Sequence, residues 1–291
     1  MFRGSIVALV TPMASDGSVD FDRLSALIDF HCDAGTEAIV AVGTTGESAT
    51  LEFDEHIAVI RHVVEVAAGR LPVIGGTGAN ATAEAEQLTR AAAEAGVDGC
   101  LLVTPYYNKP TQEGLYRHFR HLAETVAIPQ ILYNVPGRTA VDMQVETVSR
   151  LADLENIVAL KEASGSLQRS AELVDRCGDR IALLSGDDDL ACQQMLNGFA
   201  GVVSVTANVA PALMQKMSAA ALSGDAELAG QLDSKLFGLH RDLFLESNPI
   251  PVKWAVARMG LIESSIRLPL TEFSAQYHSA LEQSMRLAEV L

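Results

Sequence analysis

Apolar and polar positions along the chain alternate in a repeating pattern. Short runs rich in Val, Ile, Leu and Ala are followed by Gly, Pro, Thr or Asp, and then by a longer stretch compatible with a helix. Eight such runs occupy residues 6–10, 38–42, 72–75, 99–103, 130–133, 157–161, 181–184 and 202–205. They recur every 20 to 35 residues or so, roughly the spacing of parallel βα units. Because the runs are nearly continuous in apolarity, they predict strands covered on both faces by helices.

An open, doubly wound sheet with eight strands would read similarly, but the count of eight favours closure into a (β/α)8 TIM barrel. After Val209-Ala210-Pro211 the strand signal disappears. The remainder of the chain reads as helices, one starting near Asp225 and another after Pro249-Ile250-Pro251. The chain is therefore expected to form a barrel over 1–224 and a C-terminal helical segment over 225–291 packed on it, with no low-complexity linker between them.

Composition narrows the function. With 48% hydrophobic and 20% charged residues, the 291-residue chain can bury a full core. A formal net charge of −16 and a pI near 4.8 argue against nucleic acid or an anionic membrane as partner, since both would be repelled. A small molecule is the remaining default ligand. Cys32, Cys100, Cys177 and Cys192 are widely spaced, without a C-x-x-C pair, and read as reduced thiols. The first apolar run, ending at Thr11-Pro12, is too short for a signal sequence or a membrane span, which points to the cytoplasm.

In a barrel, chemistry sits where strands end and βα loops begin. The second run is followed by Gly43-Thr44-Thr45-Gly46-Glu47-Ser48, the third by Gly76-Thr77-Gly78-Ala79-Asn80, the fourth by Thr104-Pro105-Tyr106-Tyr107-Asn108 and the fifth by Asn134-Val135-Pro136-Gly137-Arg138. Glycine-flanked hydroxyls beside free amides suit a small carboxylate. Lys161 is the most informative residue, because it ends an apolar run where an unpaired ammonium is costly to bury. The other lysines, Lys109, Lys216, Lys235 and Lys253, fall in loops or helical stretches where solvated heads are expected. The strand period of two places Lys161 on one face with Ala159 and Ala163, leaving room for a ligand. At an unperturbed pKa of about 10.4 only about one lysine in 2,500 is a free amine at pH 7, and burial raises that fraction. Lys161 is thus a candidate Schiff-base nucleophile, against the plainer reading of a lysine paired to a barrel carboxylate.

Tyr133 ends the preceding strand and can relay protons, or can simply pack in the core. Thr44 and Tyr107 can extend the relay or merely cap their loops. Arg138 is placed for a bidentate carboxylate contact or for a salt bridge at the rim. No histidine follows a strand, which disfavours a metal-activated enolate; His118 and His121, beside Arg117 and Arg120, read as a solvated helix face. Gly76-Thr77-Gly78 lacks the third glycine of a dinucleotide fingerprint, and Asp98 precedes the next strand when the ribose-binding acid should follow it. Asp187-Asp188-Asp189 reads as a helix start more readily than as a magnesium site.

Taken together, Gly43-Thr44-Thr45-Gly46-Glu47, Tyr133-Asn134-Val135-Pro136 with Arg138, Lys161-Glu162-Ala163, Ser185-Gly186-Asp187 and Asn248-Pro249-Ile250-Pro251 resemble the 4-hydroxy-tetrahydrodipicolinate (dihydrodipicolinate) synthase family from about Gly4 to Leu268-Pro269. The resemblance implies a metal- and cofactor-independent class I aldolase-type lyase. Its reaction would be condensation of pyruvate with L-aspartate 4-semialdehyde, on the route to diaminopimelate and lysine. By the same resemblance Lys161 is the Schiff-base lysine and Tyr133, Thr44 and Tyr107 form the proton relay, with Tyr107 reaching a neighbouring subunit's site. Thr45 contacts the pyruvate carboxylate, Arg138 receives the semialdehyde, and Gly186 and Val203 are backbone positions near the substrate.

The resemblance also implies a homotetramer of two tight dimers, with L-lysine as feedback inhibitor in a pocket matched by Ser48, Ala49, His56, Gly78, Asn80, Glu84 and Tyr106. Phe53 departs from the histidine of some regulated members, and a phenyl ring offers bound lysine no hydrogen bond. Two alternatives stand beside this reading. One is a sibling lyase of the same barrel family that uses another aldehyde, against which Arg138 and the Tyr106-Tyr107 pair speak. The other is a ligand sensor that has lost turnover, which would have no need of the proton relay.

Overall fold

The structure, a computed structural model, describes residues 2–291; Met1, where the expected barrel segment begins, lies outside them. Among the described residues, eight strands pair parallel in chain order: β1 (Gly4–Ala8), β2 (Ala38–Ala41), β3 (Val73–Gly76), β4 (Gly99–Val103), β5 (Gln130–Asn134), β6 (Ile157–Glu162), β7 (Ala182–Ser185) and β8 (Gly201–Ser204). β8 closes on β1, so the sheet is a barrel and not an open sheet. The largest displacement from expectation is β1, read at 6–10 and found at Gly4–Ala8.

The period of two sorts each strand into two cores. Ile6, Val40, Ile131, Ala159, Leu184 and Val203 fill the barrel interior, while their neighbours Val7, Ile39, Leu132, Leu160, Leu183 and Val202 pack outward against the helices. That outer layer comprises α1 (Phe21–Ala34), α2 (Phe53–Ala67), α3 (Thr82–Glu94), α4 (Gln112–Thr125), the short α5 (Pro136–Thr139), α6 (Val145–Leu151), α7 (Leu167–Cys177), α8 (Asp188–Leu196) and α9 (Pro211–Ser223). α9 stops at Gly224, whose φ of 81° lies in the left-handed region, and Asp225 at once caps α10 (Ala226–Asp242) by accepting from the Leu228 amide. α11 (Ile250–Arg258) starts with Pro251 in its first turn, and α12 (Ala275–Leu287) packs on α10 and α11. No helix among the described residues is long and apolar enough to cross a membrane.

Two expectations about charged and polar side chains are corrected. Lys253 is buried, because α11 is enclosed from Pro251 through Val256 and offers no solvent face there. Its ammonium is paired with Glu47, itself buried, whose other oxygen accepts from the Arg267 amide at 3.1 Å. His118 is also buried: it lies three residues after Leu115 and four before Leu122 on the apolar stripe of α4 and turns inward with them. Its Nδ1 lies 2.9 Å from the Thr82 hydroxyl, and burial, assisted by His121, depresses its pKa to about 4. His121 remains at the surface against Glu86.

The Lys253–Glu47 pair joins α11 to the loop after β2, and removing one partner strands the other charge in a dry site. Lys253→Met is expected to lower the unfolding free energy by about 3–5 kcal/mol, measured by chemical denaturation. Adding Glu47→Gln to it should recover a large part of the loss.

Candidate active site

A cavity of about 180 Å³ opens at the C-terminal end of the barrel strands. Its apolar floor and wall include Ala8, Val40, Leu101, Val103, Val135 and Val205, and its polar lining includes Thr44, Thr45, Tyr133, Arg138, Lys161, Asp187 and Asn248. Lys161 comes from β6, in register with Tyr133 on β5 and Leu184 on β7, and only 5% of its surface is exposed. Its Nζ lies 4.2 Å from the centre of the Tyr133 ring.

No ion pair holds this amine among the described residues. The carboxylates that influence it, Asp188 more than Asp187, oppose but do not cancel the cost of burial, and its pKa falls to about 8. Asp188 is engaged elsewhere: one of its oxygens accepts from the Val205 and Thr206 amides, both at 2.9 Å, bracing the end of β8. Glu162, next in sequence to Lys161, points to the opposite face of the strand. There it is buried, accepts from the Ser164 amide at 3.0 Å and pairs with Arg169 at 3.1 Å. Lys161 is therefore not the carboxylate-paired lysine that the sequence left open.

Close packing on the other side requires glycine. A Cβ built on Gly186 would stand 2.7 Å from the Ala163 Cβ and 3.0 Å from the Lys161 Cε, so only a bare backbone lets the loop after β7 lie against the lysine stem. Burial pushes the Tyr133 phenol up to about 12; the Arg138 charge and the Thr44 hydroxyl pull it down, and Asp187 pushes it up. A phenol held so high stays protonated, which suits a group that lends and recovers a proton.

Thr44 and Thr45 lie in the single turn Thr44–Gly46, whose leading amides have no partner within the turn and suit a carboxylate. The C-terminal segment reaches over this loop. The Asn248 side-chain amide donates to the Thr45 hydroxyl at 3.0 Å, and its backbone carbonyl accepts from Arg138 at 3.1 Å. Arg138 is thereby held at the rim by a carbonyl and not by a rim carboxylate.

The structure brings together Lys161, Tyr133, Thr44, Thr45, Arg138 and Gly186 around one cavity. It does not bring Tyr107 there: that side chain is 89% exposed, on a residue with φ 74°, and points away from its own chain's cavity. Val203 is buried in the barrel interior and is not part of the cavity lining.

The regulatory set divides. Ser48 and Gly78 line the cavity itself; His56 is buried with its Nε2 2.7 Å from the Gly76 carbonyl. Ala49 and Glu84 are exposed, Tyr106 and Phe53 are partly so, and the Asn80 carbonyl accepts from Asn108. Sequence reasoning did not assign Asn248, although it precedes Pro249 in a motif already noted, nor Phe244, which no local signal marks. It read Asp187 as part of an acidic helix start and of the Ser185-Gly186-Asp187 motif, and gave it no role in the site.

A closed βα barrel with a buried lysine at its C-terminal mouth, held in no ion pair among the described residues, fits a lyase of the class I aldolase type. The sequence matches the dihydrodipicolinate synthetase family over residues 1–288, and the chain belongs to that family. It is 62% identical over 288 residues to 4-hydroxy-tetrahydrodipicolinate synthase of Alkalilimnicola ehrlichii, covering 99% of each chain. Its fold superimposes on the chloride-inhibited dihydrodipicolinate synthase of Acinetobacter baumannii complexed with pyruvate, with a TM-score of 0.99, 51% identity and 100% of both chains covered. The synthase of Cyanidioschyzon merolae with lysine bound aligns with a TM-score of 0.96 and 40% identity, covering 100% of this chain and 99% of that one.

The lowered pKa of Lys161 has a signature in stability. Below about pH 8 both folded and unfolded chains carry the proton, and the folded state bears the full cost of burying it. Between about 8 and the ordinary value of 10.5 the folded chain has lost its proton while the unfolded chain keeps it, so stability rises with pH through that window. Lys161→Met should therefore stabilise the protein by about 3 kcal/mol at pH 7. The gain should shrink toward pH 10.5 in a denaturation series across pH.

Proposed function

We propose that this chain condenses pyruvate with L-aspartate 4-semialdehyde to give 4-hydroxy-tetrahydrodipicolinate, using Lys161 as the amine that carries pyruvate. The single observation that supports this most is the burial of Lys161 without a counter-ion at the mouth of the barrel. With a pKa of about 8, about one amine in ten is neutral at pH 7, roughly two hundred times the unperturbed fraction. In this reading Thr45 and the amides of its turn hold the pyruvate carboxylate, and the neutral amine attacks the ketone. Tyr133, aided by Thr44, supplies the proton with which the hydroxyl leaves as water. Loss of a methyl proton turns the imine into an enamine, whose carbon adds to the aldehyde of a second substrate held at its carboxylate by Arg138. The amino group of that substrate then displaces Lys161 from the imine carbon, closing the ring and freeing the lysine.

The remaining assignments belong to the same proposal. Gly186 presents backbone close to the substrate, and Val203 supports the site from below. Residues 225–291 act as a helical segment packed on a barrel formed by 1–224, a reading supported by the α9–α10 junction at Gly224-Asp225. The protein works in the cytoplasm as a tetramer of two tight dimers, in which the outward-pointing Tyr107 completes the relay of a neighbouring subunit. L-Lysine binds near Ser48, Ala49, His56, Gly78, Asn80, Glu84 and Tyr106, with Phe53 supplying contact but no hydrogen bond.

Borohydride reduction in the presence of pyruvate should fix one adduct on the peptide carrying Lys161, read by mass spectrometry, and Lys161→Ala should give none. An adduct on any other lysine, or none on the wild-type chain, would refute the mechanism. Arg138→Ala should raise the KM for the semialdehyde by about 10- to 100-fold while leaving that for pyruvate within about twofold, as expected for losing one charged hydrogen-bonding group. A loss confined to pyruvate would reverse the assigned role.

A further inference from the structure

The second substrate in this reading is an amino acid, with an ammonium as well as a carboxylate, and Arg138 accounts only for the carboxylate. We propose that Asp187 receives that ammonium and is the residue that makes the site select an amino-acid aldehyde; the proposal rests on the Schiff-base reading of Lys161.

Four observations carry it. Among the described residues, Asp187 is the only acidic side chain lining the cavity, as Arg138 and Lys161 are the only basic ones. The three follow from consecutive, paired strands: Arg138 comes just after β5, Lys161 from β6 and Asp187 just after β7, so the two rim charges flank the amine on either side. The amino nitrogen must finally bond to the carbon first held by Lys161, and the Gly186-Asp187 turn is the loop that packs against the lysine stem. Finally, Asp187 is not occupied by the role that its position suggests. It stands at the N-cap of α8, yet its side chain makes no capping bond there; among the described residues it takes part in no ion pair, and one oxygen accepts from the Gly165 amide at 2.9 Å.

The same cavity contains an independent sign that it is built for a hydrogen-bond donor. The side-chain oxygen of Asn248, a residue only 6% exposed, has no hydrogen-bond partner among the described residues. Burial already raises the Asp187 pKa to about 6, so a cation beside it offsets the cost of that burial, and at pH 7 the carboxylate is still mainly charged.

Asp187→Asn keeps the shape and the bond from Gly165 but removes the charge. It is expected to lower kcat/KM for L-aspartate 4-semialdehyde by about 10- to 100-fold. The inhibition constant of succinic semialdehyde, which has the aldehyde and the carboxylate but no amino group, should stay within about twofold, as should the yield of borohydride-trapped pyruvate on Lys161. Asp187→Glu, which restores the charge on a longer arm, should recover part of the loss. Parallel weakening of both aldehydes would show that Asp187 only tunes the lysine, and a loss of less than about twofold for the amino-acid aldehyde would show no contact; either overturns the proposal. Failure of the wild-type chain to trap pyruvate overturns this inference together with the mechanism beneath it, whereas normal trapping with unchanged selectivity in Asp187→Asn overturns this inference alone.

Discussion

Burying an amine without a counter-ion is the constraint around which the mouth of this barrel is organised. The chain contains two deeply buried lysines, and the contrast between them shows what the constraint means. Lys253 is paired with a carboxylate and joins two segments of the fold. Lys161, equally buried, has no ion pair among the described residues: one Asp188 oxygen accepts from two amides of the β8 turn, Glu162 lies on the far face of its strand with Arg169, and one Asp187 oxygen accepts from the Gly165 amide while neither aspartate reaches the lysine as a salt bridge. Deprived of compensation, the ammonium loses ground to the free amine. The same side chain is a clamp in one place and a partly neutral amine in the other, and the position of neighbouring carboxylates makes the difference.

The constraint extends outward through packing. A side chain at Gly186 would collide with the lysine stem, so the loop after β7 presents bare backbone there. Tyr133, whose ring lies under the amine, is kept a protonated phenol at rest by the same burial. The loop bearing Thr44 and Thr45 cannot be left loose if it is to receive a carboxylate, and it is pinned twice from the C-terminal segment, by Asn248 on the Thr45 hydroxyl and by Lys253 on Glu47. Preorganisation of this kind is what allows amides and hydroxyls to act without first being ordered by the ligand.

Much of this is legible in the sequence. The eight strands are readable because strands covered on both faces are apolar throughout, and Lys161 stands out because it interrupts that rule. Residues at a strand's end or in the loop after it, such as Tyr133, Thr44 and Arg138, can be placed at the mouth by topology alone. Contacts made across long separations cannot be read in this way. Asn248 meets Thr45 over 203 residues and Lys253 meets Glu47 over 206, and no local periodicity encodes either. Lys253 and His118 mislead for a related reason: a helix face is judged solvated from its own sequence, whereas α11 is enclosed all round and α4 carries His118 inward between Leu115 and Leu122. Tyr107 is the opposite case, a residue whose resemblance-derived role lies outside the single chain.

Those long-range pins have a consequence for how the protein is made. Synthesis runs from the N-terminus, and the last barrel strand ends at Ser204, by which point the polar side chains of the cavity from Thr44 to Asp187 have been added. Yet Thr45 still has no Asn248, Glu47 no Lys253 and Arg138 no carbonyl at the rim. A nascent barrel thus holds its whole chemical inventory well before it holds its working geometry, and Glu47 must stay in contact with water until the tail arrives to take its charge. Assembly of the cavity mouth is therefore a late event in the life of each new chain, timed by the arrival of residues that lie beyond the last barrel strand.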